Sequence, residues 1–260
     1  MNLVDLHCHI LPGVDDGAKN LSMSLGMAQD AVKQGITHIL LTPHHMDGDY
    51  TNHKEDVIQR TAQFQEELNI RDIPLTVFPG QEVHLTGELI QALDSDDILF
   101  MDEVGKYLLL ELPHSGVPEY TEDMLFELLA RGITPVIAHP ERNHGFQKDP
   151  DKLYSFVRMG CLTQLTSSSY LGVFGSNVEK LTSKIIESGM GFAFSSDAHN
   201  FEGRRFLMAD AFQKLADNEG ERKAELFEKN AESILNGENI EVPEIVKISA
   251  VKKKKRFWLF

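Results

Sequence analysis

At 260 residues, with 42% hydrophobic and 25% charged side chains, the chain suits one α/β barrel of ordinary size, about 250 residues. Its formal net charge of −15 argues against a nucleic-acid backbone as partner. No apolar stretch approaches the ~20 residues of a membrane span, and the first five residues lack the basic region of a signal peptide. Two cysteines, Cys8 and Cys161, make no disulfide framework, so a cytoplasmic location is expected.

In chain order, short apolar runs alternate with amphipathic segments. Residues 3–6 read as a buried strand that passes into His7-Cys8-His9, and Asp15-Asp16-Gly17 follows as a turn. A helix is expected over 21–34, starting near Asn20 and stopping before Gly35. The run 39–43 leads to His44-His45, and a polar helix is expected over 52–69. Residues 75–81 lead to Glu82, and 107–110 to Glu111. The helix over 121–131 places Met124, Leu125, Leu128 and Leu129 on one face, with Gly132 as its stop signal. The run 134–138 ends at His139. A helix over 150–159, a strand at 162–165 and a helix over 177–188 follow. The run 192–196 then enters Asp197-Ala198-His199, and two helices fill 206–236. Strands alternating with helices imply a parallel sheet, here about seven βα units in one domain. Pro243 marks the end of the globular unit, giving a domain over 1–240 and a tail over 241–260.

Almost every run ends on a histidine or a carboxylate. In a barrel of βα units all strand C-termini open onto one face, so these residues would converge, and they are types that bind metal ions. Each has an ordinary reading when taken singly. His-x-His places two imidazoles on one face of an extended strand, yet alone it is a weak signal. Asp15-Asp16-Gly17 is a turn, His44-His45 suits a surface loop, and Glu82 suits a helix cap. Glu111 inside Leu108-Leu109-Leu110-Glu111-Leu112 is harder to dismiss, because a buried carboxylate is costly unless paired or bound to metal. The ordinary readings together need a coincidence at each strand end, so a multinuclear metal hydrolase is the better expectation. A cysteine phosphatase is excluded: the sixth residue after Cys8 is Val14 and after Cys161 is Ser167, so neither cysteine has the arginine that ends a phosphate loop. Cys8 is expected to pack as a small apolar residue.

The motifs His7-Cys8-His9, Gly80-Gln81-Glu82, His139-Pro140-Glu141-Arg142 and Asp197-Ala198-His199-Asn200 resemble those of the polymerase-and-histidinol-phosphatase (PHP) superfamily. Within it, His9-Ile10-Leu11-Pro12 and Val14-Asp15-Asp16-Gly17 resemble the bacterial capsule and exopolysaccharide tyrosine phosphatases of the CpsB/CapC group, over roughly residues 2–236. The resemblance implies a distorted (β/α)7 barrel holding three divalent ions, commonly manganese, with iron or zinc as alternatives. By motif, His7, His9, Glu82 and Asp197 would hold the first ion. Glu82 would bridge to a second, completed by Glu111 and His139, while Asp16, His44 and His199 would hold the third. Many relatives in the wider superfamily have a histidine where this chain has Asp16, which favours the capsule-type subgroup over histidinol phosphatase. Arg142 and Arg204 match the phosphate-binding arginines, with Arg205 adjacent to Arg204.

The chemistry of this set is coherent. Three divalent ions outweigh the charge of Asp16, Glu82, Glu111 and Asp197, which suits a phosphate dianion. Two close ions can lower the pKa of a shared water towards neutrality, and guanidinium groups clamp phosphoryl oxygens bidentately. A tyrosine leaving group, pKa about 10, needs less proton donation than a serine alkoxide. The implied substrate and partner is a tyrosine-phosphorylated bacterial kinase that controls polysaccharide export. The other readings are a small-molecule phosphatase of the histidinol-phosphate type and a metal-stabilised module that docks on a kinase without turnover. The end of the chain is basic: Lys247, Lys252, Lys253, Lys254, Lys255 and Arg256 follow Glu244 with no acid among them, and Phe257-Trp258-Leu259-Phe260 close the chain. A solvated end is the ordinary reading. Basic and aromatic residues together also suit an anionic membrane surface, which would place the protein at the inner face of the cell membrane.

Overall fold

A computed structural model describes residues 2–250. Its strands are β1 (Leu3–Cys8), β2 (Ile36–Leu41), β3 (His44–His45), β4 (Thr76–Pro79), β5 (Glu82–His84), β6 (Tyr107–Glu111), β7 (Thr134–Ala138), β8 (Leu162–Thr166) and β9 (Ala193–Ser195). All pair in parallel, in the orders β1-β2-β4 and β3-β5-β6-β7-β8-β9. β2 and β3 are one strand interrupted at Thr42-Pro43, where the proline has no N–H to give the ladder. β4 and β5 are likewise one strand, interrupted at Gly80-Gln81. Gly80 N donates to Leu41 O (2.9 Å) and Glu82 N to Pro43 O (3.1 Å), carrying the pairing across both breaks. Gly80 is required there, since a Cβ would lie 2.8 Å from the Leu40 side chain.

Joined in this way the strands make seven staves. The first and last meet through Asp197 N to His7 O (2.9 Å) and His9 N to Ala198 O (3.0 Å), beside a bridge between Cys8 and Ala198. The result is the expected distorted (β/α)7 barrel, drawn together at the C-terminal ends of its strands. Leu6, Leu41, Val83, Leu109, Ile137, Leu165 and Phe194 are fully buried along the staves.

The longer helices fall where periodicity placed them: Leu21–Lys33, Lys54–Ile70, Thr121–Ala130, Asp151–Met159, Ser176–Glu187, Met208–Glu219 and Glu221–Leu235. Asn20 caps the first, its side chain accepting from Met23 N at 3.0 Å. Leu89–Asp94 is the helix near residue 86 that the cap reading of Glu82 presupposed, and four further segments escaped the sequence reading: the 3-10 turns Pro140–Arg142 and Ile248–Ala250, and the helices His144–Lys148 and Ser167–Tyr170. Each is too short to display a helical period. After the last helix the chain stays on the body. Val246 N donates to Ser188 O (3.0 Å), Ser249 Oγ to Asp151 (2.7 Å), and Ile248 is buried. The basic and aromatic residues 251–260 lie outside the described residues.

Candidate metal centre

Strand ends deliver the candidate ligands to one place. His7 and His9 come from β1 and the residue just after it, His44 from β3, Glu82 from β5, Glu111 from the end of β6, His139 from just after β7, and Asp197 and His199 from just after β9. His139 (φ 32°) and Asp197 (φ 50°) both adopt left-handed backbone, which non-glycine residues rarely hold unless their surroundings impose it. Except for Asp16 and the partly covered His44, all are buried.

The innermost atoms form a tight cage. His7 Nε2 and His9 Nε2 are 3.0 Å apart. Glu82 Oε2 lies 3.2 Å from the first and 3.3 Å from the second, and Asp197 Oδ1 lies 3.4 and 3.5 Å from the same atoms. Ligand atoms ~2.1 Å from a shared ion would stand about 3.0–3.4 Å apart, so the four fit one cation. Their orientation argues the same. His7 Nδ1 donates to Gln164 Oε1 (2.9 Å), His9 Nδ1 to Asp15 Oδ2 (2.8 Å), and His199 Nδ1 to the Asp197 carbonyl (3.0 Å). With the proton assigned to Nδ1 by these acceptors, each Nε2 turns a lone pair inward. Two lone pairs facing at 3.0 Å repel unless a proton or a metal ion lies between them. Glu82 Oε2, His44 Nδ1 and His199 Nε2 are buried and make no aligned hydrogen bond, although Glu82 and His44 face each other at 3.0 Å and His199 faces Asp16 at 3.2 Å, as atoms grouped round a shared ion do.

Around this cage the groups overlap. Glu82 Oε1 lies 2.8 Å from His139 Nε2, and Glu111 Oε1 lies 3.8 Å from the same nitrogen. Asp16 Oδ1 lies 3.4 Å from His44 Nε2 and 3.2 Å from His199 Nε2. Four sets could each hold an ion: His7, His9 and Asp197; His7, Glu82 and His139; His44, Glu82 and Glu111; and His9, Asp16, His44 and His199. The structure thus brings all nine candidates together, with His7, His9, His44 and Glu82 shared between sets.

Electrostatics follow the geometry. Burial lowers the His7 pKa, but Glu82 and Asp197 more than offset it and raise it to about 9. Burial lowers His44 too, and Glu82, Asp16 and Glu111 lift it to about 12. His199 falls to about 4 through burial and the neighbouring His9. Burial favours a neutral Asp197, but Arg204, Arg142 and His7 hold it well below the usual carboxylate range. Both arginines reach this one carboxylate. Arg204 Nη2 donates to its two oxygens at 2.9 Å each, and Arg142 Nη1 donates to Oδ2. Arg205 is exposed, so Arg204 is the one of the pair that faces the cage.

Several contributors escaped the sequence reading. Asp15 satisfies its turn by accepting from Gly17 N (3.0 Å) and also orients His9, so the turn reading was incomplete. Gln164 orients His7, and a polar residue inside the apolar strand 162–165 was the available signal. His84 Nδ1 lies 3.0 Å from Glu111 Oε2. Asp5, fully buried in β1, accepts from Ser196 Oγ (2.5 Å) and Ser196 N (2.9 Å), tying the first strand to the loop that carries Asp197. Cys8 is buried, and burial raises its thiol well above the ordinary value. Burial alone takes Cys161 to about 12. Neither is a nucleophile.

Comparison with known proteins finds a matching family and fold. Residues 3–236 match the family model for capsular polysaccharide synthesis, CpsB/CapC. The chain is 38% identical to the tyrosine-protein phosphatase YwqE of Bacillus subtilis, over 99% of this chain and 100% of that protein. It is 34% identical to the putative tyrosine-protein phosphatase CapC of Staphylococcus aureus, over 99% and 100%. Among solved structures, that of YwqE from Bacillus subtilis, reported with CpsB from Streptococcus pneumoniae as unique metal-dependent tyrosine phosphatases, superposes with a TM-score of 0.90. The match has 38% identity and covers 94% of this chain and 100% of that one. A phosphotriesterase homology protein from Escherichia coli shares the fold alone, with a TM-score of 0.59 at 11% identity over 90% and 97%. The chain belongs to the CpsB/CapC family.

Proposed function

We propose that this chain is a metal-dependent phosphoric monoester hydrolase that removes phosphate from tyrosine residues of a bacterial kinase controlling capsule or exopolysaccharide synthesis. The observation that carries the reading is a cage of inward-facing imidazoles and carboxylates with two arginines at its rim. His7, His9, Asp16, His44, Glu82, Glu111, His139, Asp197 and His199 would hold three divalent ions, manganese first, with iron or zinc as alternatives. Ions in such a cage supply Lewis-acid activation of water and of phosphoryl oxygens. The chain's own groups do the rest. Gln164 and Asp15 keep the His7 and His9 rings turned inward. Arg142 and Arg204, only partly covered, offer N–H forks to the phosphoryl oxygens that face the rim. The Phe174 ring lies 5.0 Å from the Arg142 guanidinium and limits where that fork can swing. No side chain needs to be assigned as proton donor, because a phenolate leaves more readily than an alkoxide.

The names borne by the relatives support tyrosine phosphate as substrate, and family membership supports the kinase partner. Among the described residues no helix is long and apolar enough to cross a membrane. We assign catalysis to the body of the chain in the cytoplasm, on which residues 241–250 also pack, and to the basic and aromatic residues that follow a contact with the inner membrane surface where a membrane-tethered kinase would be met. The deciding experiment compares turnover of a phosphotyrosyl peptide and histidinol phosphate before and after chelation. Faster peptide hydrolysis that chelator abolishes and Mn2+ restores is expected. Preference for histidinol phosphate would replace the reading with the small-molecule one, and kinase binding without turnover would make the chain a docking module.

A further inference from the structure

Next to His44 in sequence, but outside the cage, a second histidine lines a cavity of about 470 Å³ together with His53, Glu88 and Asp97. This is His45, only 1% exposed, and neither of its ring nitrogens has a hydrogen-bond partner. Burying an imidazole with both nitrogens unsatisfied is costly, so its position asks for a ligand. Across the cavity, His53 Nδ1 lies 2.6 Å from Asp97 Oδ2, and the other carboxylate oxygen is fixed by the backbone N–H of Lys54 at 3.1 Å. Asp97 therefore accepts a hydrogen bond from His53 Nδ1–H and leaves the Nε2 lone pair free, the arrangement in which a carboxylate orients a metal-binding histidine. The two rings stand edge to face with centroids 6.0 Å apart, and His45 Nε2 is 4.0 Å from Asp97 Oδ2. None of these three residues belongs to the sets that make up the cage.

We propose that His45 and His53 bind a borderline transition-metal ion such as Zn2+ in this cavity, with Asp97 orienting His53. Two imidazoles favour Zn2+, Ni2+ or Cu2+ over the hard ions Mn2+ and Mg2+, and water fills the remaining positions. The ion would join the two ends of the segment from His45 to His53, which the His53 and Lys54 hydrogen bonds already hold against Asp97. This segment turns sharply, with Met46 at φ 65° and Gly48 at φ 96°, and carries Tyr50, whose ring stacks 6.2 Å from that of His44. The site is thus a clamp on the loop beside the cage, and it stands whether or not the cage hydrolyses phosphotyrosine.

The test uses full-length protein loaded with Mn2+ and dialysed against low concentrations of Zn2+, with both metals counted by mass spectrometry. Zn2+ that exchanges into the cage releases Mn2+ in equal number, so the second site reads as one Zn2+ taken up by wild-type protein in excess of the Mn2+ it loses. His53→Ala, on an exposed side chain, should show no such excess, while a full metal complement in its cage reports that it is folded. Asp97→Asn should weaken the Zn2+ site by about 10–100-fold, as loss of an orienting partner does. Equal Zn2+ uptake by wild type and His53→Ala, no uptake by wild type, or uptake matched one for one by Mn2+ loss would each overturn the proposal.

Discussion

Replacing Glu82 by glutamine tests the centre most directly. One carboxylate oxygen lies 3.2, 3.3 and 3.0 Å from nitrogens of His7, His9 and His44, and the other lies 2.8 Å from His139. Glutamine keeps the shape, removes the negative charge, and turns an NH2 group with no lone pair towards one of these sides. Orienting residues that never touch a metal typically cost 10–100-fold in affinity or activity when removed. A carboxylate shared between sets should cost at least about that much, or ~1.4–2.7 kcal/mol, in both metal occupancy and rate. The assay pairs metal counting by mass spectrometry with turnover of a phosphotyrosyl peptide at saturating Mn2+. Near-normal metal content together with near-normal turnover in Glu82→Gln would refute the assignment of Glu82 as the shared ligand.

Arg142→Ala should keep its metals, since a guanidinium has no lone pair to offer, while turnover falls about 10–150-fold for loss of a charge-assisted contact; metal loss in this variant would make Arg142 structural. Metal loading should strengthen as pH rises. His7 is held up to about 9, so below that pH an entering ion must displace its proton, giving about tenfold in affinity per pH unit from this one group; a flat profile between pH 6 and 8 would contradict it. Neither cysteine should react with iodoacetamide at pH 8 in the folded protein, and both should in denaturant, because burial raises each thiol; labelling with loss of activity would reopen thiol chemistry. Truncation to residues 1–250, which keeps the buried Ile248, should leave peptide turnover unchanged and abolish salt-sensitive co-sedimentation with anionic vesicles, whereas equal vesicle binding would remove the tail's membrane role.

What the sequence revealed and what it hid divide along physical lines. The staves were readable because parallel strands covered on both faces are almost wholly apolar, as Leu108-Leu109-Leu110 shows. The candidate ligands were readable where they follow such a run; Asp16, in a turn, came only from the family resemblance. The breaks at Pro43 and at Gly80-Gln81 were not, because they depend on how two neighbouring strands shift against each other. The orienting residues were hidden for a related reason. Asp15 has a complete local role in its turn, and nothing local shows that its second oxygen faces His9. Asp5 reaches Ser196 across 191 positions of chain, a contact that only the closing of the barrel creates. The sharing of His9 and His44 between sets is likewise a matter of tenths of an ångström, which spacing along the chain does not encode.

Asp197 explains how a protein of net charge −15 can attract an anion. Its Oδ1 faces His7 and His9 in the cage, while its Oδ2 receives both arginines. One carboxylate therefore fixes the guanidinium forks relative to the cage nitrogens, so the proposed phosphate contacts and the candidate metal ligands are held in a single frame. That placement matters more than the net charge. At physiological ionic strength the screening length is about 8 Å, so exposed acids on the outer helices are largely invisible at the rim. A dianion there responds to the nearest groups, two arginines and the ions of the cage, set among low-dielectric walls that screen them little. The acidic exterior can then serve solubility without opposing the site, because the site carries its own positive charge on groups that Asp197 holds in place.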